Sequence, residues 1–146
     1  MEIKILDMKY VIENGVDYDN LELEMFTNRA LDPESKKGYT GLVYESINEI
    51  PVINYAFYKD GFIHGYHVYF HYNGNVESIM HKKDSIADGP YKIWNKENIL
   101  IEEGENRLGI HTKHRKYSIY GQVIDEKKGL TDIELRRIKV RESREE

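Results

Sequence analysis

The side chains best suited to chemistry in this sequence are its histidines. Four of the six fall close together, at His64, His67, His71 and His81, and His67 and His71 share a face if their segment is a strand. Two imidazoles at that spacing stand roughly 13 Å apart, too far to bind one zinc ion. His111 and His114 point to opposite faces of a regular strand, so they make no pair either. The acids Glu102 and Glu103 meet the same objection, because strand neighbours cannot flank one bond. A nucleophile elbow, a phosphate-binding loop, a His-Glu-x-x-His helix and a dinucleotide fingerprint are all missing from the 146 residues. With no cysteine, thiol catalysis, disulfides and Cys-containing zinc sites are excluded. The expectation is a protein that is not an enzyme, with no catalytic residue, metal or cofactor.

What remains is binding, and charge placement is the strongest guide to where. From Tyr10 to Asn28 the chain carries Glu13, Asp17, Asp19, Glu22 and Glu24 and no Lys or Arg. That stretch accounts for −5, the formal net charge of the whole chain. A balance of that sign argues against sequence-independent nucleic-acid binding, which needs an excess of cations to displace counterions. The simplest reading is a solvated face, since exposed strands use charge to prevent edge pairing. The functional reading is an acidic patch that steers onto a basic protein surface. A second set of expected contacts is His67, Tyr69 and His71, because exposed tyrosine is a common interface anchor.

The elements that must position these groups follow from repeats. Four stretches share an aromatic, then Gly or Asn four residues on, then an aliphatic: Tyr44 to Ile50, Phe70 to Val76, Trp94 to Leu100 and Tyr117 to Val123. Gly41, Gly65, Gly89 and Gly109 run in phase with them. A unit of that length holds two strands of about six residues and two turns. Asn73-Gly74 and Asp60-Gly61 are type I′ hairpin signals. Along the strand before Asn73, Tyr66, Val68, Phe70 and Tyr72 take one face and His67, Tyr69 and His71 the other, a period of two. A lone hairpin is marginal in water, so the units must stack, with Tyr44, Phe70, Trp94 and Tyr117 as a packing ladder. The expected fold is all-β: tandem hairpin repeats in an elongated, twisted antiparallel sheet, as one domain over residues 1–146. Residues 1–38 are read as an N-terminal hairpin and loop, because Leu6, Met8, Tyr10 and Ile12 alternate before Asn14-Gly15 and Leu21, Leu23 and Met25 alternate after it. Residues 39–128 are the repeats. The charged tail, 129–146, fits an edge strand or a short helix.

Thr40-Gly41-Leu42-Val43-Tyr44, Tyr58-Lys59-Asp60-Gly61-Phe62-Ile63-His64-Gly65 and the aromatic-to-glycine turns together resemble the MORN-repeat variant of bacterial antitoxin and immunity-type proteins. The resemblance spans roughly residues 39 to 124. It departs from the pattern at Asn48, where Gly is common, and at the basic run from His111 to Lys116. The eukaryotic MORN repeat, with its Gly-x-Gly pairs, is more distant. The resemblance implies a non-enzymatic protein that binds and neutralises a partner toxin, for which a nuclease with a basic groove would suit the acidic stretch. It implies no direct contact with nucleic acid or membrane. A carbohydrate or cell-envelope binding module is the alternative, since aromatic hairpins also build such solenoids, but that class expects many Trp and an export signal. The chain has one Trp, and Met1 to Leu6 lack the basic and apolar regions of a signal peptide. The expected location is the cytoplasm.

Overall fold

Turn chemistry sets the architecture of the computed structural model, which describes residues 3–145. Two kinds of turn alternate. At one end of the strands, the two-residue turns Asp60-Gly61, Asp84-Ser85 and Leu108-Gly109 have positive φ at both positions, the geometry that matches the right-handed twist of the flanking strands. At the other end lie the turns at 71–75, 95–99 and 118–122. In each of these the first amide donates to the last carbonyl, and the fourth amide donates back to the first carbonyl. The fourth residue is Gly74, Asn98 or Gly121, all at positive φ, where glycine and asparagine are least strained. The type I′ assignment holds for Asp60-Gly61. It does not hold for Asn73-Gly74, because Gly74 closes a five-residue loop and only it, not Asn73, has positive φ.

Between these turns run β4 (Gly41–Ile47), β5 (Ile50–Lys59), β6 (Phe62–Phe70), β7 (Val76–Lys83), β8 (Ile86–Trp94), β9 (Leu100–Arg107), β10 (Ile110–Tyr117) and β11 (Val123–Lys127). Each pairs antiparallel with the next. A two-residue β1 (Val16–Asp17) lies parallel to β4 and completes a nine-stranded sheet in the order β1-β4-β5-β6-β7-β8-β9-β10-β11. The short pair β2 (Glu22–Leu23) and β3 (Ala30–Leu31) stands apart from it.

A helix stands near each end of the described residues. The alternation of Leu6, Met8, Tyr10 and Ile12 predicts a strand, but residues Met8–Asn14 form helix α1, so the N-terminal hairpin is corrected. Asp7 caps α1 by accepting from the Lys9 amide, and Val11 on its inner side is fully buried. A seven-residue segment cannot be assigned by periodicity alone, and here the cap and the apolar sheet face decide. The tail resolves to helix α2 (Asp132–Arg144), started by a capping box between Thr131 and Glu134. Arg141 donates to the Leu108 carbonyl, Arg107 pairs with Glu142, and Lys83 reaches Glu145, which fasten α2 across the two-residue turns.

The register explains the core. Tyr44, Tyr55, Val68 and Ile79 lie side by side across β4 to β7. With Leu42, Val52 and Phe70 they form an apolar surface, covered by Ile3, Ile5, Leu6, Met8 and Val11. The Tyr55 hydroxyl accepts from the Leu6 amide at 2.9 Å, which pins the covering segment. Each fully buried aliphatic such as Val11, Val52 or Val68 contributes about 1.5–3 kcal/mol. The same row continues as Lys92, Glu103, Arg115 and Glu126. One face therefore changes from apolar and covered to charged and open at β8.

Candidate partner-binding surface

Four of the five acidic residues of the N-terminal stretch lie on four short elements and Glu24 just follows the last of them, and most find local partners. Glu13 on α1 faces Lys9 at 3.9 Å. Asp17 accepts from the Asp19 amide at 2.9 Å and from the Ser46 hydroxyl at 3.3 Å, capping the 3₁₀ turn Tyr18–Asn20. Lys36 donates to both Glu22 oxygens at 2.8 Å. Arg29 reaches Glu24 at 3.0 Å and Asp60 at 3.2 Å. Hydrogen bonds from Thr27 and Arg29 hold the Glu24 carboxyl below its ordinary pKa. Among the described residues only Asp19 of the five has no side-chain hydrogen bond or ion pair. Cations from just outside the stretch, Lys9, Arg29 and Lys36, thus offset much of its excess, which a count confined to residues 10–28 could not show.

The three residues expected on the opposite face of β6 do different jobs. His67 is 5% exposed, so it is an interior group and not a contact. Lys82 donates to its Nδ1 at 3.0 Å, which leaves the ring proton on Nε2 to donate to Asn54 Oδ1 at 3.0 Å. Burial, and then the Lys82 charge, push its pKa down to about 3. Tyr69 packs against that ring, tilted by 36° with centroids 4.4 Å apart, and remains 36% exposed. His71 begins the turn after β6 and its Nε2 lies 2.9 Å from the Trp94 carbonyl. Of the three, Tyr69 has the most surface to offer.

The aromatic ladder is real at three of its four rungs. Phe70 belongs to the core, and Tyr44 and Trp94 pack against it, so these rings form no open stacking platform. Tyr117 instead donates to Glu103 at 2.6 Å.

Sequence reasoning missed a polar network on the other face. A bulge between His111 and Lys113 adds a residue to β10, which brings His111 and His114 to the same side and not to opposite ones. Their rings stack at 5.0 Å, with His111 Nε2 and His114 Nδ1 2.8 Å apart. His114 Nε2 meets Asp125 at 2.9 Å, and Tyr91 donates to Glu102 at 2.6 Å while lying 3.3 Å from His111 Nε2. Lys127 donates to the His111 carbonyl at 2.7 Å and to Glu134 at 2.6 Å. Burial, then the neighbouring His114 and Lys127, lower the His111 pKa against the opposing pull of Glu102 and Glu134. A Cβ at position 104 would collide with the Tyr91 ring, so Gly104 makes room for it. The chain of groups joins β8, β9, β10, β11 and α2 and works as a brace. Tyr91 at its centre is buried, and among the described residues no group of three His, Cys, Asp or Glu is placed to hold a metal ion.

The open part of the charged face is a trough of about 680 Å³ lined by Pro90, Lys92, Glu103, Glu105, Lys113, Arg115, Glu126 and Lys128, among others. Lys113 pairs with Glu105 at 3.5 Å and Arg115 with Glu126 at 3.6 Å. These pairs are solvated and worth little to stability. No helix among the described residues is long and apolar enough to cross a membrane.

In sequence the chain is 39% identical over 62 residues to Immunity protein YwqK of Bacillus subtilis (strain 168). The alignment covers 40% of this chain and 40% of that protein, so the chain spans less than half the length of the relative it matches. No family profile matches the chain, and no solved structure matches it.

Proposed function

We propose that this protein is an immunity protein of the MORN-repeat variant type, which binds a cognate toxin stoichiometrically in the cytoplasm and blocks it by coverage, with no chemistry done on the toxin. The observation that carries the reading is the likeness to a protein named as an immunity protein. The build of the molecule supports it. Its polar clusters are tied into bracing hydrogen bonds, and a long sheet with exposed side chains on edge, turns and faces suits recognition of a large surface. Asp17 and Asp19 at the β1 end and Tyr69 on β6 add contacts, and Asp19 carries a carboxylate with no local partner that can steer association with a basic surface.

The test is co-expression with a candidate toxin domain. Growth is restored, and the two purified proteins elute as a one-to-one complex. Failure to restore growth overturns the reading. Restored growth without a complex overturns the binding mechanism.

A further inference from the structure

The most exposed large apolar side chain among the described residues is also held in a disfavoured backbone conformation. Phe26, at the tip of the β2–β3 hairpin, is 96% exposed and has φ of 73°, a region that bulky residues avoid. Met25 beside it is 76% exposed. The turn imposes this arrangement. The Glu24 amide donates to the Arg29 carbonyl at 2.8 Å, and the Asn28 amide to the Glu24 carbonyl at 3.0 Å. Thr27 donates to the Glu24 carboxylate at 2.7 Å, and Arg29 links that carboxylate to Asp60. Strain that the surrounding structure maintains in this way collects at binding sites. A tip already ordered also loses little freedom on being bound.

A socket for such a tip lies on the same chain. Ile133 and Val140, 62% and 50% exposed, stand two turns apart on one side of α2. With Arg136, Arg137, Arg141 and Arg144 they line a shallow groove of about 300 Å³, on the side of the helix turned away from the buried Ile138. The ion pairs of α2 use Glu134, Glu142 and Glu145. Among the described residues, Arg136, Arg137 and Arg144 are therefore left without an anionic partner. The hairpin has the opposite charge to offer. Glu22 stands on β2 behind the apolar tip, and its exposed pair with Lys36 exchanges partners at little cost.

Tip and groove are fixed at the same end of the sheet, the one that carries the two-residue turns. The hairpin is held to Asp60-Gly61, through the Arg29–Asp60 pair and the Ala30 amide, which donates to the Gly61 carbonyl at 2.9 Å. Helix α2 is held to Leu108-Gly109, where Arg141 donates to the Leu108 carbonyl. Those two turns lie four strands apart, roughly 20 Å, so the tip does not reach the groove of its own chain.

We propose that two copies of this chain associate about a twofold axis, with the Met25-Phe26 tip of each seated in the α2 groove of the other. Because both surfaces share one end of the molecule, the first contact brings the second into place, and the pair closes on itself. To cover both surfaces, an unrelated partner would have to bring an apolar plug backed by acid and a socket rimmed by cations. A second copy brings both. The inference is independent of the immunity reading.

The experiment is sedimentation velocity on the purified full chain over a concentration series reaching about 100 μM, which resolves a dimer with Kd in the micromolar range. Three variants are compared with the parent. Phe26→Asn removes the ring and suits the positive φ. Val140→Glu blocks the groove with a carboxylate that Arg136 and Arg144, four residues to either side, can hold. Tyr120→Ser alters an exposed aromatic on a turn at the opposite end of the strands. The parent dimerises, Phe26→Asn and Val140→Glu each weaken association about tenfold or more, and Tyr120→Ser leaves it unchanged. An equimolar mixture of Phe26→Asn and Val140→Glu associates more tightly than either alone, since one intact tip then meets one intact groove. At a dilution where the chain is monomeric, Phe26→Asn melts no lower than the parent, and Met25→Ser repeats the test if Phe26→Asn does not fold. A parent that stays monomeric, a dimer that both variants leave intact, or a mixture no tighter than its components overturns the proposal. A monomeric parent whose binding to a candidate toxin domain falls on Phe26→Asn assigns the tip to the toxin and overturns it too.

Discussion

Acid should loosen this protein at two imidazoles of lowered pKa, His67 and His111, and the share of His67 can be isolated. Its imidazole is neutral and held between Lys82 and Asn54, with a pKa near 3 against 6.5 for the free side chain. Between those values the unfolded chain binds a proton at this position and the folded one does not, so stability falls as pH falls. The contribution is complete above pH 6.5, erodes below it and is exhausted near pH 3. Near pH 5 the gap of about 1.5 pKa units at about 1.36 kcal/mol each gives roughly 2 kcal/mol. For a chain of this size that corresponds to roughly 4–8 °C in Tm. The lowered Glu134 carboxylate acts below the assay range of pH 7.5 to 5. Glu134, held at about 2 by Lys127 and its capping hydrogen bonds, loses its contribution only below its ordinary 4.5. The assay is thermal unfolding by circular dichroism near pH 7.5 and pH 5, for the parent and for His67→Gln, which can keep both hydrogen bonds without titrating. The parent should lose about 4–8 °C more than the variant on acidification. Equal losses would refute the assignment of His67 as a buried neutral group.

Three further outcomes follow from the same geometry. Gly74 has φ of 90° with open space around its Cβ position, so only backbone strain matters there; Gly74→Val should lower Tm more than Gly74→Asn, and identical melting curves would count against the turn. Trp94→Ala should cost about 3 kcal/mol in urea unfolding, toward the low end for a truncated aromatic because Trp94 is only half-buried against the core; a loss under about 1 kcal/mol would mean the ring is free for binding. Replacing Asp17, Asp19, Glu22 and Glu24 by their amides should slow association with the toxin and flatten its salt dependence, read by stopped-flow rates against ionic strength; unchanged rates at every salt concentration would reduce the stretch to a solvated face.

The parts legible in the sequence are those fixed by local rules. Positive φ at Asn48, Gly74, Asn98 and Gly121 was encoded in residue type, and the in-phase aromatics placed the strands. The alternation in β6 correctly set Val68 and Phe70 inward. The misreadings arose where non-local terms decide. Alternation over Leu6 to Ile12 fits a strand, yet the apolar face of β4 to β7 needed a cover, and a helix turns Val11 onto it. His67 alternates as an outward residue, but twist and the neighbours Asn54 and Lys82 enclose it. The His111–His114 pair was hidden because one bulge reverses the face of every following residue. The neutralisation of Glu22 and Glu24 comes from Lys36 and Arg29, contacts that depend on loop closure.

Whether this chain acts by occupying a toxin is decided by titrating a candidate toxin domain with the purified full chain and following toxin activity. Inhibition should rise linearly and end at one equivalent, with a Kd in the nanomolar range or below, roughly −12 kcal/mol or better. Activity that persists at a large excess of the chain, or that disappears at a small fraction of an equivalent as if the chain turned over, would contradict it.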